Sequence, residues 1–304
     1  MKKLLSLLLC VMLVATVLVA CSSEAAAPAN ETPANETAVQ ETTVQETTSN
    51  FDADRVIGVF TREDGSGTRD AFVSITGVGD DMYGEAAVKT ETNEIISGVE
   101  GNEYAIGYVS LGSLNEKVKA LNIDGVAPSA ETIKNGSYPI QRPFLVCVND
   151  DNKDNELVQD FIQFMVSIEG QALSGSKWIE AVDNAQPYTP SGLSGTLKVG
   201  GSTSVDPLMV IMKDKYLELN PDVKIEISGG GSGTGISEAA SGVIDIGMSS
   251  RALKESEYEG LTDHIIALDG VAVIININNP AESMAMDQVK DIFTGAVNKW
   301  SDVK

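Results

Sequence analysis

From about residue 51 onward, short β-rich apolar runs alternate with stretches whose apolar positions recur at helical spacing. The β-rich runs, at residues 56–60, 105–109, 144–148, 197–199, 223–227 and 271–277, predict strands. The clearest helical patterns are residues 155–168, with Leu157, Phe161, Phe164 and Met165 on one face, residues 207–219, with Pro207 near the first turn, and residues 286–293. Their apolar stripes are core positions and carry no chemistry. This alternation is the pattern of an α/β protein with layered helices and sheet. A Pro/Gly/Ser-rich stretch, residues 187–195, divides the sequence into two unequal parts and reads as a domain linker or a surface loop.

The beginning of the chain is patterned differently. Lys2 and Lys3 precede an apolar run over residues 4–20 that stops at Cys21, the pattern of an export signal. A run of this length is at the lower limit for crossing a bilayer. Leu18-Val19-Ala20-Cys21, however, resembles the bacterial lipobox, in which the cysteine thiol is diacylated and becomes the new N-terminus. That resemblance implies a signal peptide over residues 1–20 and a lipid on Cys21. Beyond it the chain steps through ANETP, ANETA, VQETT and VQETT. Too few apolar residues are present there to offset the entropy of ordering, so residues 21–50 are expected to be the lipid anchor and a disordered linker. The repeat is too short for a solenoid unit.

Residues 51–304 are long enough for one large domain or two lobes with separate cores. Cys10 leaves with the signal and Cys21 takes lipid, which leaves Cys147 alone within Phe-Leu-Val-Cys-Val. No disulfide can form within one mature chain, and Cys147 reads as a small buried hydrophobe. The formal charge of −23 argues against nucleic acid as a partner. A bound anion must then be held by local hydrogen bonds and dipoles against an opposing long-range field. The only histidine, His264, reads as a strand-edge residue in Asp-His-Ile-Ile. One histidine and one thiol are too few for a soft-metal site. A carboxylate-only Mg²⁺ or Ca²⁺ site stays open by composition, although no EF-hand spacing occurs. No cofactor is expected, and capture of a ligand fits the residues better than catalysis.

Three segments place a Gly/Ser/Thr-rich turn between a predicted strand and a helix start: residues 62–69 (REDGSGTR), 200–207 (GGSTSVDP) and 228–235 (SGGGSGTG). Glycines let backbone approach a ligand, hydroxyls donate, and the first N–H groups of the following helix favour an anion. One such turn would be ordinary helix capping. Three of them, with Arg62, point to one anion site. Competing motifs fail: neither GSGT turn ends in the Gly-Lys-Ser/Thr of a P-loop, residues 229–235 lack the dinucleotide spacing, and no Gly-x-Ser-x-Gly elbow surrounds Ser66 or Ser232.

With these turns, the stretches VIDIGMSSR, LDGVAVIIN, DIFTGAVNKW, YAIGYVSLGSL and YPIQRPFLV make residues 51–304 resemble the phosphate-binding proteins of bacterial phosphate ABC transporters, the PstS type, among the type II periplasmic binding proteins. The resemblance implies two α/β lobes around a ligand cleft, joined by a two-strand hinge. It implies phosphate contacts from Thr203, Ser204, Ser232, Ser250, Arg62, Ser66, Gly67 and Thr68, with Asp64 holding Arg62. A guanidinium fork with hydroxyls and helix N-termini around it suits a tetrahedral oxyanion. The implied protein is not an enzyme. It is a monomer tethered through lipidated Cys21 to the outer face of the cytoplasmic membrane, delivering phosphate to permease subunits.

Two features depart from the family pattern. Many relatives carry Asp where this chain has Ser250, and that carboxylate takes the proton distinguishing phosphate from sulfate. A serine can still accept, as could Asp206 or Asp64 if either reaches the ligand, and Arg251 beside Ser250 adjusts the local charge. Segment order also differs: REDGSGTR comes first and the chain ends soon after Trp300. This implies a circular permutation, with residues 187–195 joining the family's usual ends. One lobe would then span residues 142–268, and the other residues 51–141 plus 269–304. The rival readings are a receptor for sulfate, molybdate or tungstate, a surface phosphohydrolase, and an adhesin or phosphate sensor.

Overall fold

The structure, a computed structural model, describes residues 51–303. The signal peptide, Cys10, Cys21 and the linker therefore lie outside the described residues. Among the described residues the strands are β1 (Gly58–Arg62), β2 (Ala87–Lys89), β3 (Ala105–Ser110), β4 (Val118–Ala120), β5 (Asn122–Ile123), β6 (Gln141–Asn149), β7 (Gly195–Gly201), β8 (Val223–Gly229), β9 (Ile246–Ser249), β10 (Leu261–Asn276) and β11 (Ser283–Met284). The helices among the described residues are α1 (Gly67–Thr76), α2 (Thr92–Glu100), α3 (Ala130–Lys134), α4 (Glu156–Met165), α5 (Ile168–Ser174), α6 (Asp206–Leu219), α7 (Ser232–Ala240) and α8 (Met286–Phe293).

The main sheet runs β2-β1-β3-β10-β6-β9-β7-β8, with β4 also paired to β10. Its two ends are parallel, β1 with β2 and β3, and β7 with β8 and β9. Its centre is antiparallel, and there β10 changes partners. Residues 261–270 of β10 pair with β6, and residues 271–275 pair with β3. The chain thus passes between the two lobes on a pair of adjacent strands, stitched at the crossing by the Val271 N–H to Ile140 carbonyl bond of 2.8 Å. This is the two-lobed α/β fold with a two-strand hinge.

Period-two burial explains how one sheet serves two cores. In β6, Phe144, Val146 and Val148 enter a large cluster with α4 and α6, while Leu145 and Cys147 face a second cluster containing Ile236 and Ala239 of α7. In β10, Val271, Val273 and Ile275 join Phe72, Tyr108 and Phe293, and the alternate Ala272 and Ile274 pack on Ile95 and Val99 of α2. Each fully buried side chain of this size contributes roughly 1.5–3 kcal/mol. Cys147 is fully buried, and burial pushes its thiol pKa up to about 12. We expect alkylating reagents at neutral pH to modify the Cys147 peptide only after denaturation, as read by mass spectrometry; labelling of the native protein at that peptide would contradict the packing.

Some predicted elements shift. The helix expected over 155–168 is two helices, because Ser167 donates to the Phe164 carbonyl at 2.7 Å and accepts from the Gly170 N–H at 3.2 Å, closing α4 and capping α5. The strand expected over 271–277 begins ten residues earlier, at Leu261. Its polar start, Thr262-Asp263-His264, conceals it from an apolar-run criterion. His264 is consequently not at a strand edge: it pairs with Val146 inside β10 and is half-buried, and that burial lowers its pKa. Residues 187–194 form a loop packed onto the first core, where the hydroxyls of Tyr188, Ser191 and Tyr216 all donate to Asp160 Oδ2 at 2.5–2.9 Å.

Candidate functional site

The three glycine-rich turns meet. Each follows a parallel strand and opens a helix, so α1, α6 and α7 all begin at one place. The first-turn amides of a helix have no intrahelical acceptor, and each N-terminus carries about half a positive charge. The turns are joined directly by the Gly233 N–H to Gly65 carbonyl bond of 2.9 Å and the Gly231 N–H to Gly201 carbonyl bond of 3.0 Å. Gly65 adopts φ of +85°, a conformation that favours glycine, and this presents its carbonyl to α7.

Hydroxyls from the two lobes touch across the cleft. Thr68 Oγ1 lies 2.8 Å from Ser204 Oγ. Thr92 Oγ1 lies 3.4 Å from both Thr203 Oγ1 and Ser204 Oγ. Gly67 packs so tightly on Ser232 and Ser250 that a Cβ there would sit 2.2 Å from Ser232 Oγ. Ser232 Oγ accepts from the Ser250 N–H at 3.1 Å and lies 3.3 Å from Ser250 Oγ. Ser66 caps α1 by accepting from the Arg69 N–H. Ser66, Thr68, Thr203, Ser204, Ser232 and Ser250 are all buried, an arrangement that favours a ligand with many acceptors.

Arg62, at the end of β1, is 2% exposed and reaches this cluster through Thr92. Its Nε and Nη2 fork onto the two carboxylate oxygens of Glu63, both at 2.9 Å, and also reach the Lys89 and Thr90 carbonyls. Nη1 donates to Thr92 Oγ1 at 3.3 Å. A guanidinium has five N–H donors, so one on Nη1 is left to meet a ligand beside the hydroxyls. Tyr108 fixes the base of this arm: its hydroxyl accepts from the Arg62 N–H at 3.1 Å and contacts Thr61 Oγ1 at 2.7 Å. Burial raises the Tyr108 pKa to about 12, so it stays neutral, with its ring stacked on Phe72 at 4.0 Å.

The expectation for Asp64 is corrected. Its side chain is 96% exposed and pairs with Arg69, and Glu63 is the carboxylate that holds Arg62. Asp64 is thus turned to Arg69 and solvent rather than to Arg62. Asp206 lies in the first turn of α6, where burial raises its carboxyl pKa and Lys213 partly opposes this. Sequence reasoning also passed over Thr92 and Tyr108. Thr92 resembles any polar residue at a helix start, and Tyr108 sits in an apolar strand; neither belongs to a glycine-rich turn. Among the described residues, no group of three or more His, Cys, Asp or Glu is placed to hold a metal ion.

A two-lobed α/β receptor with polar helix starts facing each other across its cleft is the class defined by this geometry. The model of the PBP superfamily domain matches residues 12–169 and 186–304. The phosphate-binding protein PstS 2 of Streptococcus pneumoniae is 43% identical over 261 residues, 83% of this chain and 89% of the relative. A crystal structure of a phosphate ABC transporter, phosphate-binding protein from the same species superposes with a TM-score of 0.68 at 43% identity, covering 82% of this chain and 100% of that one. The phosphate-binding protein PstS of Bacillus subtilis is 35% identical over 113 residues, 36% of this chain and 38% of the relative. The chain belongs to the PBP superfamily and, within it, to the PstS-type phosphate-binding proteins.

Proposed function

We propose that this protein captures inorganic phosphate outside the cytoplasmic membrane and delivers it to the permease of an ABC importer. The observation that carries the reading is the convergence of three helix N-termini, six buried hydroxyls and the free Nη1 donor of Arg62, drawn from both lobes. Such a shell encloses a small oxyanion by local dipoles, which the acidic net charge makes necessary. The ligand contacts are Arg62, Ser66, Gly67, Thr68, Thr203, Ser204, Ser232 and Ser250. The names of the relatives support phosphate as the oxyanion and an ABC importer as the recipient.

Lobe boundaries at residues 141/142 and 268/269 agree with the division of the cores: one draws on residues 144–267, the other on 57–140 and 271–300 together with Ile179. A permuted chain order is supported by its ends, where the Ser301 N–H bonds the Ala53 carbonyl at 2.8 Å and Phe51 packs edge-on to Trp300. No helix among the described residues is long and apolar enough to cross a membrane. Lipidated Cys21 would serve as the tether.

Selectivity would rest on Ser250. The Ser232 oxygen already accepts from the Ser250 amide, so its proton is available to donate, and the Ser250 oxygen can turn a lone pair to the proton that phosphate keeps. Sulfate would leave that acceptor unpaired. We expect competition calorimetry to favour phosphate by on the order of a hundredfold, and Ser250→Ala to narrow that ratio. Equal affinity for the two anions in the natural protein would indicate a general oxyanion receptor. A chromogenic phosphate ester should not turn over; sustained hydrolysis by the purified protein would favour a phosphohydrolase.

A further inference from the structure

A charged cluster beside the anion site links the lobes without belonging to the ligand shell. Arg251 follows Ser250 at the end of β9, and Asp70 lies one turn into α1, just beyond Thr68. Arg251 Nε donates to Asp70 Oδ2 at 2.8 Å, across the cleft. The remainder of the guanidinium is held within its own lobe: Nη1 and Nη2 fork onto Glu257 at 2.7 and 2.9 Å, and Nη1 also reaches the Ala252 carbonyl at 2.9 Å. Glu257 is in turn fixed by the Lys254 N–H at 2.8 Å. Lys254 Nζ stands 3.7 Å from Asp70. The side chains of Arg251, Asp70 and Glu257 are 8%, 26% and 21% exposed, so the pair is only partly screened by solvent.

The geometry points to Arg251 and Asp70 as a positioning pair, a latch that sets how long the cleft stays closed over its ligand. Glu257 pre-sets the arm. With its fork held from behind, Arg251 presents Nε toward the opposite lobe, and little side-chain entropy is lost when Asp70 arrives. Arg251 directly follows Ser250 and Asp70 lies two residues after Thr68 in the same helix, so the Nε contact forms as Thr68 and Ser250 are brought together. Neither partner is itself among the proposed ligand contacts. The pair therefore acts on the open-to-closed equilibrium, and through it chiefly on the rate of ligand release.

The latch rests on the phosphate reading. Its test uses stopped-flow phosphate binding with Asp70→Asn, which keeps the size of the side chain and removes its charge. We expect release to accelerate roughly three- to tenfold with association changed less than about twofold, since a partly exposed pair has a modest effect. The melting temperature of the ligand-free protein should be unchanged. High salt should accelerate release from the natural protein more than from the variant. A cycle with Arg251→Gln separates a latch from two independent defects: as a pair, the double variant releases phosphate no faster than the worse single variant, whereas multiplying effects overturn the proposal. Unchanged release in Asp70→Asn overturns it too. Failure of the natural protein to bind phosphate would instead remove the functional reading.

Discussion

Gly67→Ala is expected to weaken phosphate binding by roughly ten- to a hundredfold while leaving the ligand-free protein folded. An added Cβ would lie 2.2 Å from Ser232 Oγ, 2.8 Å from Ser232 Cβ and 2.8 Å from Ser250 Oγ, all on the opposite lobe. Ser232 and Ser250 are fully buried and bonded to each other, so neither has room to retreat. Overpacking of this kind typically costs about 1–3 kcal/mol, and a hundredfold in affinity is about 2.8 kcal/mol. The strain disappears if the lobes stay apart, because the contact exists only between them. The loss should therefore be confined to binding. Calorimetry paired with thermal melting of the ligand-free variant checks this; natural affinity in Gly67→Ala would mean that the lobes do not close as described.

Removal of Arg62 should have an effect of similar size on binding and a second effect on stability. In the proposed site its guanidinium is the charge-assisted donor to phosphate, and it pairs with Glu63. Arg62→Ala leaves that carboxylate without its partner near the space an anion would enter. Breaking a buried pair by removing one side costs roughly 3–5 kcal/mol, and Glu63 is partly exposed, so a value toward the lower end is expected. Phosphate affinity should fall at least about tenfold, and the melting temperature should fall as well. Arg62→Ala with Glu63→Gln separates the two effects. The double variant should recover much of the stability and little of the affinity. Recovery of both would show that Arg62 acts only by neutralising Glu63.

What was legible in the sequence was whatever depends on neighbours along the chain. The three turns announced themselves because glycine, hydroxyl and helix start must be contiguous to build an anion-binding helix end, and α8 was readable because its stripe stands alone between polar residues. Features depending on distant contacts were not legible. Choosing between Glu63 and Asp64 as the partner of Arg62 requires knowing which way the chain turns after β1. Glu63 is directed back along the arm, and Asp64 is directed outward to Arg69. Thr92 acquires its place only when α2 of one lobe meets the turn at Thr203 in the other. The first part of β10 was missed because its Thr262-Asp263-His264 start is polar, although β6 pairs with it through nine positions. Ser167 hid a helix break inside an apolar stripe, since capping and interior serines look alike without their partners.

The central claim is that phosphate sits between the lobes, enclosed from both sides by the three helix starts. A crystal structure of the protein with phosphate tests it most directly. The account predicts the anion within hydrogen-bond distance of Ser66, Gly67 and Thr68 on one side, Thr203, Ser204, Ser232 and Ser250 on the other, with Arg62 Nη1 donating to it. Phosphate bound by one lobe alone, or at a place that none of these residues reaches, would contradict it.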